Sequence, residues 1–448
     1  MSRFYFFLHA MVMVASLLLS IPTRAQSSMA AFPSDAGLTA RQFNLVKTGK
    51  IDAVPAIQAL IAAERAVILP CGTYRLDESF PDWSADGIRL SGANMQCVIL
   101  NVNYTITSGS VNVFHLSGHG QVISDMTINA TRQMRAGAMI YLKAASQERV
   151  HDLIVTGPFW NGIYVYASNN VHIDHIYARP PFPSFHTAPN AQNGAAYAGA
   201  AFISLDGDLT SGKINIDTYL EDLNIAQYET GIQYLYTSGV YASNIDIVGT
   251  RSAYLFTPGP KESVNGVQMV NALGDTSYGA NWYFPNSGGG VYEFMCSACW
   301  ASSSYSDSGI VVENPRVSQI HFQNSTSINN SRYGLYISAG RNIGWIGGAI
   351  EMNNNRLGSK TDASDVYISG TAGKLDWIRI QDTFIGQGGI MHDQNSGKWQ
   401  ATYAVDLANV PATAHVMLTG LQTYNHKFGQ FNKPANMSNI SMANNQGD

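Results

Sequence analysis

Residues 162–179 read GIYVYASNNVHIDHIYAR. The stretch holds two runs that alternate in polarity, Ile163–Tyr166 and Val171–Ile173, around a Ser-Asn-Asn turn, and then a third apolar patch at Ile176 and Tyr177. The same phrase returns downstream. Gly231 opens GIQYLYTSGVYASNIDIVG, Gly309 opens GIVVENPRVSQIHFQNST and Gly334 opens GLYISAGRNIGWIGG. A unit of this length repeated along a chain reads as a solenoid, because one copy cannot bury its own apolar face and stacked copies build a continuous core. Alternation at period two turns Ile163 and Val165 inward and Tyr164 and Tyr166 outward.

Working outward, second strands recur at roughly 22 residues, from Asp152 to Asp174 and again from Asp222 to Asn244, a length that suits three short strands per coil. Asparagines mark the corners, as in Asn169-Asn170, Asn329-Asn330 and Asn353-Asn354-Asn355, where a left-handed backbone is tolerated. Of 448 residues, 13% are charged and 45% hydrophobic, with a formal net charge of -5. That balance leaves no basic footprint for nucleic acid.

Residues 1–25 combine Arg3, an apolar core from Phe4 to Leu19 and a small-residue site ending at Ala25. They read as a secretory signal peptide, and no later segment is long and apolar enough to span a bilayer, so the expected compartment is secreted or periplasmic. Residues 26–50 read as a linker. Cys71 and Cys97 fall about one coil apart, a reasonable spacing for a disulfide in an exported chain. Cys296-Ser-Ala-Cys299 reads as a small loop disulfide or two free thiols, because no second pair stands at zinc spacing.

Residues 51–76, IDAVPAIQALIAAERAVILPCGTYRL, place Val54, Ile57 and Ile61 on one helical face, then a strand to Leu69 and a Pro-Cys-Gly turn. The order D-x-x-x-AIQ-x-x-I, a strand ending in LP, then GTY resembles the N-terminal signature of the pectate-lyase-like superfamily. The resemblance implies an all-β fold, a single-stranded right-handed parallel β-helix whose N-terminal helix caps the open end of the solenoid. On that basis residues 51–430 form the β-helix domain, interrupted by inserted loops at 179–199 and 271–308, and 431–448 form a polar C-terminal tail. The superfamily includes polysaccharide lyases, glycoside hydrolases and epimerases, so the fold does not fix the chemistry.

In a stacked solenoid a site is a column of residues from successive coils. The outward column is read as Tyr141 and Lys143, Tyr164 and Tyr166, Ser204 and Asp206, Gln233, Gln268, Glu313 and Tyr336. Rings interleaved with polar groups suit a sugar polymer, so Tyr141, Lys143, Tyr164, Gln233, Gln268, Glu313 and Tyr336 are the expected substrate-binding residues. Asp206-Gly-Asp208 offers two carboxylates that share a metal, act as an acid and base pair if their environments split, or cap a turn. For β-elimination, Arg179 or His186 would neutralise a uronate carboxylate, and Tyr166, His186 or Lys143 would take the proton.

Asn170-Val-His-Ile-Asp174-His175 resembles the V-W-I-D-H segment of the pectate lyases, which makes Asp174 a candidate ligand for Ca2+. The arginine motif R-x-P-x-x-R of those enzymes is absent, so no catalytic arginine carries over. The expected activity is cleavage of a polysaccharide by a lyase or a glycoside hydrolase, trimming an exopolysaccharide for example. A uronate C5-epimerase and a non-catalytic carbohydrate-binding or adhesive solenoid are the alternatives. The expected assembly is a monomer or a homotrimer.

Overall fold

The computed structural model describes residues 46–132, 134–179, 200–354, 363–386, 401–434 and 438–447. The expected signal peptide, most of the expected linker, His186 and nearly all of the loop expected at 179–199 lie outside the described residues. Among those described, the chain winds into stacked coils that form a 23-stranded and a 13-stranded sheet, and every pairing between strands is parallel. This is the parallel β-helix that the repeat and the N-terminal motif implied.

One helix, Val54–Glu64 (α1), opens the fold, with a proline in its first turn and Arg65 left-handed at its C-terminal end. It buries Val54, Ala56, Ile57, Leu60 and Ile61 against the first coil, and the Trp83 indole donates to Gln58 Oε1 at 3.3 Å. Cys71 is bonded to Cys97, and Cys296 to Cys299.

The strand Asn161–Tyr166 of the small sheet alternates as expected. Ile163 and Val165 are fully buried while Tyr164 and Tyr166 are half-buried on the outer face. Identical positions stack into ladders within the core, where Tyr234, Phe256 and Phe284 lie ring on ring at 4.4 and 4.2 Å, and Tyr254 lies on Trp282 at 4.5 Å. Such contacts reward an aromatic residue that recurs at the same inward position of successive coils.

The long strands of the large sheet bend at a single left-handed residue. In register these positions run Asp125, Asp152, His175, Asp222, Asn244, Asn271, Ala298 and Asn324, each with φ between 48 and 60°. A second left-handed column runs Asn170, Asp217, Gly239, Gly266, Glu293, Gln319, Asn342 and Trp377 at the corner where the chain enters the large sheet. Asn, Asp and Gly dominate because they take this conformation at least cost. Gly309 and Gly334, which open two of the repeats, have a different reason. A Cβ on Gly309 would lie 2.6 Å from Asn330 Nδ2, and one on Gly334 would lie 2.5 Å from Asn353 Nδ2. Those asparagines form a buried ladder, Asn330 to Asn353 to Asp365, at 2.9 Å per step, and His426 Nε2 closes it on Asp365 at 2.9 Å.

Three expectations are corrected. Residues 271–308 are not an inserted loop, since Ser263–Asp275, Trp282–Phe284, Gly290–Ser297 and Trp300–Ser302 are strands in regular coils. Trp282 and Phe284 face the core, and Gly289 packs against the backbone carbonyls of Pro258, Gly259 and Glu262. The tail at 431–448 continues the sheets through Gly429–Asn432 and Ile440–Ala443. Asp152 stands opposite His175 rather than Asp174.

Candidate functional site

The outer row of the small sheet sets the geometry. In register it reads Asp82, His115, Tyr141, Tyr164, Ser204, Gln233, Leu255, Tyr283, Val311, Tyr336, Tyr367 and Asp406. One step further along the strands, Lys143, Tyr166 and Asp206 share a second row. Two aromatic clusters stand on this face.

The first gathers His115, Tyr141, Tyr164 and Tyr166 around Asp206 and Asp208. Ring centroids are 5.0 Å apart for His115 and Tyr141, 5.5 Å for Tyr141 and Tyr164, and 6.3 Å for Tyr164 and Tyr166. The Tyr164 hydroxyl donates to Asp206 Oδ2 at 2.5 Å, and the Gly207 N–H donates to Oδ1 at 2.8 Å. Burial raises the Asp206 carboxyl above the usual carboxylate range despite both donors.

Asp208 goes the other way. Its oxygens accept from the Ser211 hydroxyl at 2.7 Å and from the Thr210 and Ser211 N–H groups at 3.0 and 3.3 Å, which hold it below the usual range. It therefore caps the turn to Lys213, and it is ionised while doing so. Both carboxylates act on the same phenols. Burial pushes Tyr141 up to about 12, with Tyr166, Asp206 and Asp208 adding to the shift, and Tyr166 rises through burial and the adjacent Asp208 charge. His115 is lowered by burial and by Lys143, against the pull of Asp82.

The second cluster stacks Tyr333, Tyr336 and Tyr367 at 5.1 to 5.4 Å, with the Arg332 guanidinium over the Tyr333 ring. Between the clusters, Gln233 donates to Thr257 at 3.0 Å and the Tyr283 hydroxyl donates to Glu313 at 3.1 Å. Tyr141, Lys143, Tyr164, Tyr166, Gln233 and Tyr336 thus share the face the sequence assigned to them, and Glu313 joins it at the end of a strand.

Other expected residues fall elsewhere. Gln268 belongs to the large sheet, between Tyr241 and Met295, because its strand is the long one of its coil. Arg179 ends the long strand Asn169–Arg179, with its guanidinium over Tyr177 at 5.1 Å. Since strands of both sheets run in one winding direction, Arg179 precedes the small sheet of the next coil, whereas Asp206 and Asp208 lie where the chain leaves it. Asp174 is gripped by Arg149 through Nε at 3.1 Å and a terminal nitrogen at 2.9 Å, and by His175 Nδ1 at 3.0 Å. A guanidinium already supplies the positive charge that Ca2+ would bring.

His115, Asp82, Tyr283, Tyr333 and Tyr367 were missed. Their signal was available only through register, which places the middle residue of FHL, WYF and VYIS on the outer row.

No family model matches the sequence, and no curated protein matches it. Solved structures do. The A-module of the mannuronan C-5 epimerase AlgE4 of Azotobacter vinelandii aligns with a TM-score of 0.52 at 14% identity, over 90% of this chain and 98% of that one. Tailspike protein 3 of bacteriophage CBA120 aligns with a TM-score of 0.52 at 9% identity, over 90% of this chain and 60% of that one. At these identities the likeness establishes the fold, a right-handed parallel β-helix. No helix among the described residues is long and apolar enough to cross a membrane.

Proposed function

We propose that this protein hydrolyses a polysaccharide, with Asp206 as the proton donor and Asp208 as the ionised carboxylate beside it. The observation that carries this is the split between two carboxyls of one turn, Asp206 raised by burial and Asp208 lowered by its hydrogen bonds, on a face lined by tyrosines. Two titratable groups pushed apart in this way divide acid and base roles. The protonated Asp206 gives its proton to the glycosidic oxygen as the bond breaks, and Tyr164 orients the carboxyl. Asp208 offsets positive charge as it develops on the sugar, and a water molecule adds to the anomeric carbon and gives its proton to Asp208.

Proton abstraction by Tyr166, as a lyase or an epimerase would need, is less favoured because burial and Asp208 keep the phenol protonated. The solved structures of similar fold include a mannuronan C-5 epimerase module, which keeps a carbohydrate polymer in view as the substrate class.

Incubation with neutral and acidic polysaccharides tests the proposal. New reducing ends without ultraviolet absorbance from an unsaturated uronate support hydrolysis. Absorbance that rises with cleavage marks a lyase and overturns it, and retention on the polymer without turnover marks a binding solenoid.

A further inference from the structure

The second left-handed column breaks its own rule at one place. Where other coils put Asn, Asp, Gly, Glu or Gln, this coil puts Trp377, at φ 52° and 64% exposed. A bulky residue there strains the backbone by about 1–2 kcal/mol, and most of its surface stays exposed to solvent. The indole is nevertheless fixed. It stacks on the His415 imidazole of the next coil, 4.7 Å between centroids and 14° from parallel. His415 is held in turn by Asp376, whose Oδ1 accepts from His415 Nδ1 at 2.9 Å, from the His415 N–H at 3.1 Å and from the Trp377 N–H at 2.9 Å.

All three donors converge on Oδ1 of Asp376, which leaves its Oδ2 open to a further donor. An exposed, immobilised aromatic ring on the residue next to a carboxylate suits a pyranose, which presents C–H groups on its face and hydroxyls at its edge. Position supplies the second line of support. The Asp206–Asp208 turn leads into the long strand that carries Asp217, and Asp217 and Trp377 belong to the same left-handed column, six coils apart. At a coil spacing of about 4.8 Å the two points are about 29 Å apart along one edge of the solenoid.

We propose that Trp377, with Asp376 and His415, forms a second sugar subsite that grips a pyranose ring of the same polysaccharide chain whose bond is broken beside Asp206. The proposal rests on the hydrolase reading for the identity of the polymer, but not for the existence of the subsite. Its role is to keep a long chain aligned with the coil axis.

Affinity electrophoresis of the full chain through gels cast with dextran, β-1,3-glucan, alginate or polygalacturonate provides the test. Trp377→Asn is the variant, because Asn accepts the left-handed backbone and preserves the fold, which circular dichroism would confirm. The wild type should be retarded in at least one gel, and Trp377→Asn should lose most of that retardation. Release of reducing ends from short soluble oligosaccharides of the same polymer should be unchanged. Equal retardation of both proteins, or no retardation of the wild type in any gel, overturns the subsite. Retardation that depends on Trp377 without any cleavage leaves the subsite standing and removes the hydrolase reading.

Discussion

The Tyr164 hydroxyl meets the Asp206 carboxylate at 2.5 Å across adjacent coils, so the group proposed to deliver a proton is positioned by a neighbouring strand rather than by its own turn. Neither residue has a role alone. The phenol is held protonated by burial and by Asp206, and the carboxyl is lifted by burial against the phenol's hydrogen bond.

Removing that bond should move the pH profile. Tyr164→Phe deletes a donor that favours the ionised carboxylate, so the Asp206 pKa should climb further. Activity that needs a protonated Asp206 is lost as pH rises through that pKa, and the high-pH limb of kcat/KM should therefore shift upward in Tyr164→Phe. Asp206→Asn should lower kcat by about 10²–10⁴-fold with little change in thermal midpoint. A Tyr164→Phe profile that superimposes on the wild type would remove Asp206 from the acid role.

Glu148 should make stability fall between mildly acidic and neutral pH. Its side chain is fully buried, neither oxygen reaches a hydrogen-bond partner, and burial pushes it up to about 7 although backbone N–H groups of the corner face it. The folded chain then keeps a proton that the unfolded chain releases above about 4.5, so stability declines as pH rises from there to about 7 and levels off beyond. The loss is about 3 kcal/mol. Comparing thermal midpoints at pH 5 and pH 8 for the wild type and Glu148→Gln checks this, and the variant should show the smaller difference.

Ala298 occupies the first left-handed column at φ 53° and is exposed. Ala298→Gly relieves about 1 kcal/mol of backbone strain, partly offset by the greater freedom of glycine in the unfolded chain. A net gain of about 0.5 kcal/mol is expected in chemical denaturation. The same change at Ala242, an inward strand position, should destabilise instead.

The Cys71–Cys97 disulfide spans 26 residues of the first coils and joins neighbouring strands there. Loop closure on this scale contributes about 3–4 kcal/mol. Cys71→Ser with Cys97→Ser should lower the thermal midpoint and expose α1 to protease first, and limited proteolysis with mass spectrometry would locate the cut.

Much of this architecture was legible in the chain because a coil repeats a physical demand. Ile163, Ile203 and Ile232 each point inward at the same height, so the apolar rhythm survives even where identity does not. What was lost was register. Trp282-Tyr283-Phe284 belongs to an aromatic ladder that only stacking reveals, and without its neighbours Tyr254 and Phe256 it looked like an excursion from the fold. Gln268 was misassigned for the same reason, since outward residues of both sheets alternate alike and nothing local says which wall carries them. Asp206 and Asp208 were recognisable as a pair from their spacing. Their opposite electrostatic environments depend on the burial of Asp206 against neighbouring coils and on the hydrogen bonds that Ser211 and Thr210 give Asp208, which no linear pattern records.

The left-handed columns give the molecule a graduated scale. Each coil advances every surface feature by one strand spacing, so the span between Asp217, in the coil of Asp206, and Trp377 is an integer count of coils rather than a compromise among loops. Deleting or duplicating a whole coil between them would change that span in a single fixed increment, and the length of chain fragment that bridges both points would change in step with it.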